Sequence, residues 1–260
     1  HGMVEFVTST KYILEYLNDD FSKKILDVGA GTGAYSIYFS EKGYDVTAVE
    51  LVEHNIEIFK KKNSKAKIFK GNAMDLSMFA DSSFEVVLLF GPMYHLLLES
   101  EKLKALEEAK RVVKKNGRIF VSYYMNDYAI LTYGFIKKHI LESIEEGRVD
   151  KNYHMQNLKD DLYSMVRIED IDKFNKLTLL KREKIIASDG ASNYIRVALN
   201  ALSEEEFKEY IKYHLSICER YDMLGASAHL LDIVYKEWKE KKWNKNIVFK
   251  ECLVLLAVLM

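Results

Sequence analysis

A glycine-rich turn between a short apolar run and a helical segment is the feature that most constrains the fold of this chain. Residues 25–28 form the apolar run, residues 29–33 read Gly-Ala-Gly-Thr-Gly, and residues 34–42 have helical character up to Gly43. A short apolar run bounded by glycines suits a buried parallel strand, and a glycine commonly ends a helix. The glycines therefore occupy a strand-to-helix turn, and residues 44–50 supply the next strand of a β-α-β unit.

The turn and the second strand together predict a nucleoside site. A Cβ at Gly29 or Gly31 would hold a ligand away from the backbone or forbid a positive φ. Glu50 closes the second strand, where its two carboxylate oxygens can accept hydrogen bonds from both hydroxyls of a ribose. The GxGxG spacing differs from the GxGxxG of dinucleotide sites. Asp27, two residues before the first glycine, would repel a pyrophosphate and favours a cationic ligand.

On these residues the sequence resembles the class I S-adenosylmethionine-dependent methyltransferases, and the resemblance continues through most of the chain. In that family the third strand ends in a Gly-Asp-Ala segment, which here reads Gly71-Asn72-Ala73. The family's aspartate accepts from the adenine amino group. Asn72 departs from it but keeps a carbonyl oxygen able to do the same, and the Ala73 N–H is the expected partner of an adenine ring nitrogen. The loop at 91–97 then corresponds to the segment that passes the methionine end of the cofactor.

The resemblance implies S-adenosylmethionine as cofactor, S-adenosylhomocysteine as product, and no metal. The residues expected to bind the cofactor are Asp27, Gly29, Ala30, Gly31, Gly33, Glu50, Leu51, Asn72, Ala73, Met74, Phe90 and Gly91. Tyr94 and His95 are the catalytic candidates, because they follow the turn nearest the reacting methyl group. We expect His95 to orient or deprotonate the acceptor. In the alternative interpretation Tyr94 only packs on the methionine chain and His95 only holds the loop.

Strands alternate with helices four times up to residue 123, which predicts an α/β fold with a doubly wound, mainly parallel sheet. A turn and a strand are expected at 81–90. A helix capped by Ser100 follows, and Gly117 ends the helical pattern before a strand at 118–123. The resemblance implies a Rossmann-like sheet of seven strands, and the last two strands form an antiparallel hairpin. Its strands are predicted at 177–188 and 228–235.

One methyltransferase domain is predicted over residues 3–236, with a lid insertion at 126–166 and a helical cap insertion at 193–225. Ser203 and Glu206 form the capping box that opens the cap helix. Such insertions in the family cover the cofactor and select the substrate. The residues expected to contribute are Tyr128, Tyr133, His139, Arg148, Tyr153, His154 and Tyr163. The alternative is that these aromatic residues belong to the core of amphipathic surface helices.

The composition of the chain indicates which class of substrate it binds. The 260 residues are 48% hydrophobic, and 38 Lys and Arg against 39 Asp and Glu give a formal net charge of −1. This balance provides no basic field for nucleic acid, so a small-molecule acceptor is expected. Cys218 and Cys252 lack metal or redox spacing and no signal peptide is recognised, which together predict a cytoplasmic protein.

The segment at 237–260 is predicted to be a tail of unknown role. Its last ten residues are almost wholly apolar, but a membrane-spanning helix takes about 20 residues. Packing on the domain or against a second copy, as in a homodimer, is therefore favoured over contact with a membrane surface.

The sequence favours methyl transfer to an O, N or C atom of a small molecule. It leaves two alternatives open. A catalytically silent module could bind the same cofactor, because methyl transfer requires few fixed groups. A nicotinamide-dependent oxidoreductase would share the acidic residue at the ribose, but the glycine spacing and Asp27 disfavour it.

Overall fold

A seven-stranded sheet organises the chain, in the order β3-β2-β1-β4-β5-β7-β6. The computed structural model describes residues 2–159, 161–225 and 227–237. The strands are β1 (Lys24–Val28), β2 (Asp45–Glu50), β3 (Lys67–Lys70), β4 (Phe84–Leu89), β5 (Val113–Tyr124), β6 (Leu180–Ala187) and β7 (His229–Lys236). The helices are α1 (Gly2–Leu17), α2 (Ala34–Glu41), α3 (Glu53–Lys61), α4 (Pro92–His95), α5 (Glu99–Val112), α6 (Asn126–Ala129), α7 (Ile140–Glu145), α8 (Ile168–Thr178), α9 (Arg196–Asn200), α10 (Glu204–Ile217) and α11 (Tyr221–Leu224), with a π-helix at Ile130–Ile136.

The strand directions confirm the predicted mixed topology. β1 pairs in parallel with β2 and β4, and the parallel set continues to β3 on one side and β5 on the other. β7 lies antiparallel between β5 and β6. The carboxyl ends of β1 to β6 therefore meet at one edge of the sheet, together with the amino end of β7.

Both faces of the sheet are covered by helices, as a doubly wound fold requires. Successive side chains of a strand point to opposite faces. Leu26 thus joins a buried cluster that includes residues of α5 and α8, whereas its neighbour Ile25 joins a second cluster with residues of α1, α2 and α3. The apolar run at 25–28 is buried because helices lie on both sides of it.

Three predicted boundaries are wrong, each for a local reason. Ser100 lies inside the first turn of α5, because the helix begins after Leu98, whose N–H donates to the carboxylate of Glu101 at 3.0 Å. Gly117 lies within β5, where a Cβ would lie 2.7 Å from the Glu85 carbonyl oxygen. The predicted strand at 177–188 begins late, because α8 continues to Thr178 and closes on a left-handed residue.

The two insertions leave the sheet at its ligand-facing edge. The predicted lid is closed at its base, since the N–H of Asn126 donates to the carbonyl of Val166 at 2.9 Å. The predicted cap contains α9, α10 and α11, and the Ser203–Glu206 capping box opens α10 as expected. No helix within the described ranges is long and apolar enough to cross a membrane. Most of the predicted tail, including Cys252, lies outside the described residues.

Candidate functional site

A cavity of about 460 Å³ opens where the carboxyl ends of β1 to β4 meet. Its size falls within the range of small-molecule sites. The sequence-predicted residues that line it are Gly29, Gly31, Glu50, Leu51, Asn72, Ala73, Gly91, Tyr94 and His95, and it is completed by Val52, Asn55, Gly71, Pro92 and Leu96. Residues predicted from four separate strand ends therefore converge on one space.

The glycine turn has the backbone geometry that its sequence predicts. Gly29, Gly31 and Gly33 have φ values of 73°, 56° and 90°, in the left-handed region that favours glycine. A Cβ at Gly31 would meet nothing within 4 Å, whereas one at Gly33 would lie 2.4 Å from the ring of Phe59. Gly31 therefore leaves room on the cavity side, and Gly33 allows α3 to pack.

Glu50 lies at the end of β2 and joins the turn to the loop that follows. One carboxylate oxygen accepts from the N–H of Gly31 at 2.7 Å and the other from the N–H of Val52 at 2.9 Å. A carboxylate oxygen has about two acceptor positions. The oxygen bonded to Gly31 thus keeps one position for a further donor, and the other oxygen has a long second hydrogen bond, from the Asn55 side-chain amide at 3.4 Å, that a ribose hydroxyl can replace.

The segment after β3 offers one donor and one acceptor to the cavity. The side-chain oxygen of Asn72 accepts from the N–H of Met74 at 2.9 Å, which fixes the amide in an Asx turn and leaves a second lone pair on that oxygen. No group in the described part of the chain accepts the Ala73 N–H. This pair of groups fits the amino group and a ring nitrogen of an adenine.

Several predicted cofactor residues support the cavity without lining it: Asp27, Ala30, Gly33, Met74 and Phe90. Asp27 is buried behind the turn, where it accepts from the Ser36 hydroxyl at 2.6 Å. Burial raises the pKa of its carboxyl to about 6. Phe90 packs against Tyr35, with ring centroids 4.7 Å apart. Direct cofactor contact by these residues stays a prediction.

The catalytic candidates Tyr94 and His95 lie on α4, at the edge of the cavity. Burial raises the pKa of the Tyr94 hydroxyl above its usual range, so this group is protonated at neutral pH and is not a phenolate base. His95 is exposed, and its Nδ1 lies 3.0 Å from the carbonyl oxygen of Leu162 in the lid. That contact matches the loop-holding alternative, and a role in deprotonation stays a prediction.

The predicted lid residues divide between the site and the surface. The ring of Tyr163 lies 5.1 Å from the His95 ring in a tilted arrangement, and that of Tyr128 lies 5.8 Å from the Tyr124 ring, edge to face. The others pair among themselves or elsewhere: Tyr133 stacks on His139, Arg148 pairs with Glu146 and Asp161, His154 pairs with Asp170, and Tyr153 is exposed. Of these predicted residues, Tyr163 thus contacts a ring that lines the cavity, whereas Tyr128 contacts Tyr124, which does not line it.

A buried amine joins the lid to the loop after β4. Lys102, on α5, donates to the carbonyl of Leu96 and to the Ser164 hydroxyl, the latter at 2.8 Å. The Ser164 N–H in turn donates to the carbonyl of Tyr94 at 2.8 Å. Burial lowers the pKa of Lys102 to about 8.

A group of titratable residues that the sequence did not single out lies on the far side of Tyr94. Glu5 comes from α1, Asp189 follows β6, and His229 begins β7. Asp189 is buried, and its carboxylate accepts from Nδ1 of His229 at 2.8 Å and from Asn193 at 2.6 Å. The Glu5 carboxylate lies 3.8 Å from the same Nδ1. We call Glu5 and Asp189 the acid pair.

The acid pair controls the proton on His229. Burial lowers the pKa of the imidazole, but the carboxylates of Glu5 and Asp189 outweigh burial and raise the pKa to about 9. Burial raises the pKa of the Glu5 carboxyl. The sequence could have indicated Asp189 and His229 by their positions alone, because Asp189 follows one predicted strand and His229 begins another, and these strand ends meet at the ligand-facing edge. Glu5 had no such signal, because it lies within a helix that precedes the first strand.

Comparison with known proteins finds a family match for the part of the chain that runs from β1 to β5. Residues 26–121 match the family model described as a methyltransferase domain. A glycine/sarcosine N-methyltransferase from Aphanothece halophytica is 30% identical over 134 residues, which are 50% of each chain. A demethylmenaquinone methyltransferase from Paenarthrobacter aurescens is 25% identical over 134 residues, 52% of this chain and 51% of that protein. The chain thus spans about half the length of these curated relatives.

The similarity in three dimensions extends further along the chain. The crystal structure of a SAM-dependent methyltransferase from Methanosarcina mazei superposes with a TM-score of 0.60 at 17% identity. It covers 88% of this chain and 98% of its own. At this level of identity the likeness is one of fold, and it includes the region outside residues 26–121.

Proposed function

Because this chain belongs to the class I S-adenosylmethionine-dependent methyltransferases, we propose that it transfers the methyl group of S-adenosylmethionine to a small molecule. The observation that carries the proposal is the convergence of the glycine turn, Glu50 and the Asn72–Ala73 segment on one cavity. Three contact sets from three strand ends match a base, a ribose and a chain that lies against backbone.

The residues of the cavity would bind and align the cofactor. Glu50 accepts the ribose hydroxyls, Asn72 and Ala73 take the adenine edge, and Gly31 leaves space for close approach to the turn. When bound, the cofactor supplies a methyl group that a sulfonium makes electrophilic. The protein supplies alignment and a site from which water is excluded. Tyr94 and the lid lie where they can exclude water from the reacting end.

A small-molecule acceptor is supported by the relatives and by the charge of the chain. The names of the two relatives refer to glycine or sarcosine and to demethylmenaquinone, all small molecules. The formal net charge of −1 supplies no general attraction for nucleic acid.

The cytoplasm is the proposed location, and a homodimer stays a prediction. Cys218 supports a reducing compartment, because it is buried as a free thiol against the Tyr12 hydroxyl at 3.3 Å. Size-exclusion chromatography with light scattering would measure the oligomeric state of the full chain.

Calorimetric titration with S-adenosylmethionine, S-adenosylhomocysteine and NADH tests the proposal. We expect micromolar binding of both adenosyl ligands and none of NADH. Glu50→Ala should weaken binding by about 1.5–3 kcal/mol, the usual scale for a hydrogen bond to a charged group. Glu53→Ala is the matched control, because Glu53 is an exposed acid that pairs with Lys70 outside the cavity. Binding of NADH alone, or equal affinities for Glu50→Ala and the unmodified protein, would contradict the proposal.

A further inference from the structure

Four aromatic side chains form a closed ring beside the cofactor cavity. The centroids of Tyr94 and His229 are 6.1 Å apart, those of His229 and Tyr124 are 5.1 Å apart, and Tyr163 lies 6.2 Å from both Tyr124 and Tyr94. We call these four residues the four-ring enclosure. A point between the three tyrosine rings at these spacings lies within the ~6 Å over which an aromatic face attracts a cation, whereas His229 carries a proton of its own.

The fold builds the enclosure from separate elements. Tyr124 ends β5 and His229 begins β7, and the two are paired in register across the antiparallel strands. Tyr94 comes from α4, and Tyr163 comes from the lid. The enclosure therefore needs the sheet, the loop after β4 and the lid in place together.

The electrostatic surroundings of the enclosure are negative. The acid pair lies directly behind His229, at 2.8 Å for Asp189 and 3.8 Å for Glu5. The same two carboxylates act on the neighbouring tyrosines, since Glu5 contributes to the raised pKa of Tyr94 and Asp189 to that of Tyr124. Two carboxylates face the single imidazole of His229. Glu5, Asp189 and His229 together therefore favour a further positive charge nearby.

The enclosure adjoins the cofactor cavity through one shared residue. Tyr94 belongs to both, because it lines the cavity and closes one side of the enclosure. A ligand atom held between the four rings would lie next to the end of the cavity that α4 borders. This is the position that a methyl acceptor requires.

We propose that the four-ring enclosure and the acid pair bind the nitrogen of an aliphatic amine, and that this amine is the methyl acceptor. The inference rests on the proposed function for its methyl donor. The three tyrosine rings attract the ammonium form, and the two carboxylates of the acid pair offset the charge of the His229 imidazolium and that of the bound ammonium. A phenol or carboxylic acid acceptor would instead bring a developing negative charge beside two carboxylates.

For a primary amine, methyl transfer requires the loss of one proton before the N–C bond forms. The bound ammonium gives one proton to the Glu5 carboxylate, which frees the nitrogen lone pair. The lone pair forms the N–C bond while the C–S bond breaks, and the electron pair of that bond stays on sulfur. The methylated amine leaves as an ammonium ion, and the proton on Glu5 passes to solvent.

The same three residues have the atoms of a metal site, since Glu5, Asp189 and His229 offer ligand atoms within 4.8 Å of one another. The hydrogen bonds favour a proton in that position. Asp189 already accepts from His229, Asn193 and the Ser227 hydroxyl, the last at 2.7 Å. A cation bound by Asp189 would have to displace these donors, so a metal is the competing outcome of the test.

The test compares choline with its neutral isostere 3,3-dimethylbutan-1-ol, by calorimetry on the full chain saturated with S-adenosylhomocysteine. We expect choline to bind about tenfold more tightly or better. Tyr124→Leu and Glu5→Gln should each weaken choline binding by about fivefold or more, whereas Tyr124→Phe, which keeps a ring, should retain it. The exposed residues Tyr213 and Glu204 supply the matched controls Tyr213→Leu and Glu204→Gln.

A transfer assay completes the test with aliphatic amines, phenols and carboxylic acids offered separately, and S-adenosylhomocysteine release as the readout. Methylation of amines supports the proposal. Equal binding of choline and the isostere, transfer only to phenols or carboxylic acids, or displacement of choline by Mn²⁺ would overturn it. Failure of S-adenosylhomocysteine to bind in the first place would instead contradict the proposed function.

Discussion

Gly31 and Gly33 lie two residues apart in the same turn, yet their missing Cβ atoms serve different purposes. Gly31 faces open space beside the cavity, and Gly33 faces the ring of Phe59. Both have a positive φ, which an alanine adopts at a cost of about 1–2 kcal/mol. One position of the turn therefore borders open cavity space, and the other serves packing.

The two alanine variants should differ accordingly. Gly31→Ala is expected to keep the fold and to weaken S-adenosylhomocysteine binding by about tenfold or more, because the new methyl group occupies ligand space. Gly33→Ala is expected to lose a further ~1–3 kcal/mol of stability from overpacking against Phe59. Urea unfolding and calorimetric titration of both variants measure the two effects. Normal affinity in a folded Gly31→Ala variant would contradict the position assigned to the turn.

At the residue scale the sequence predicted residues that line the cavity better than it predicted the acid pair and His229. Gly29, Gly31 and Glu50 carry their chemistry in a local pattern of turn and strand end. Glu5, Asp189 and His229 have no shared pattern, because the sheet brings them together from α1, β6 and β7. Asp27 illustrates a second limit, since spacing alone does not reveal that its carboxyl lies behind the turn and accepts from Ser36.

Among the elements, α5 differs from the prediction in two ways: its first residue was predicted wrongly, and it links the loop after β4 to the lid. The expected cap at Ser100 failed because Glu101 takes over the N-terminal hydrogen bond of Leu98. One turn later Lys102 is buried and links the loop after β4 to the lid through Leu96 and Ser164. A lysine in an otherwise amphipathic helix reads as exposed in sequence, so this joint was not predictable from periodicity.

Lys102→Met should loosen the lid without disturbing the sheet. Loss of the two hydrogen bonds leaves Ser164 with its own N–H bond to the Tyr94 carbonyl and the bond from Asn157, and bonds from a charged donor are worth about 1.5–3 kcal/mol. We expect the Ser164 amide to exchange with solvent about tenfold faster or more, with little change in S-adenosylhomocysteine affinity. Lys104→Met on the exposed side of the same helix is the control. Unchanged exchange at Ser164 would show that Lys102 does not hold the lid.

For the whole molecule, alternation of strands and helices was sufficient to predict the doubly wound sheet, whereas its antiparallel end was predicted from the resemblance to the methyltransferase family. The alternation could not predict that the ligand-facing edge would also receive α1. That helix packs its apolar residues into the same cluster as β1, and Glu5 is carried to the site as a result. Long-range packing of this kind leaves no trace in a window of neighbouring residues.

The acid pair should make the stability of the whole chain depend on pH. The pKa of His229 is raised to about 9 in the folded protein, above the ~6.5 of an unfolded chain. Stability from its proton is therefore complete below pH ~6.5 and is lost as pH rises through about 9. His229→Gln removes this contribution.

Urea unfolding of both proteins between pH 6 and 10 measures the effect as a difference, which cancels the opposite contribution of Lys102. Between these limits the unmodified protein should lose up to about 3 kcal/mol more than the variant. Parallel pH profiles for the two proteins would rule out a raised pKa at His229.

The strand order also sets the sequence of events during synthesis. β7 lies between β5 and β6, and it is the sheet partner of β6 within the described chain. A nascent chain can assemble β1 to β5, and with them the cofactor cavity, before β7 is translated. Until then β6 has no strand of the described sheet with which to pair. His229 is translated with β7, so we expect the proposed acceptor side to form last. A ribosome stalled before residue 229 should hold a chain that already binds S-adenosylhomocysteine but has nowhere to bind an amine.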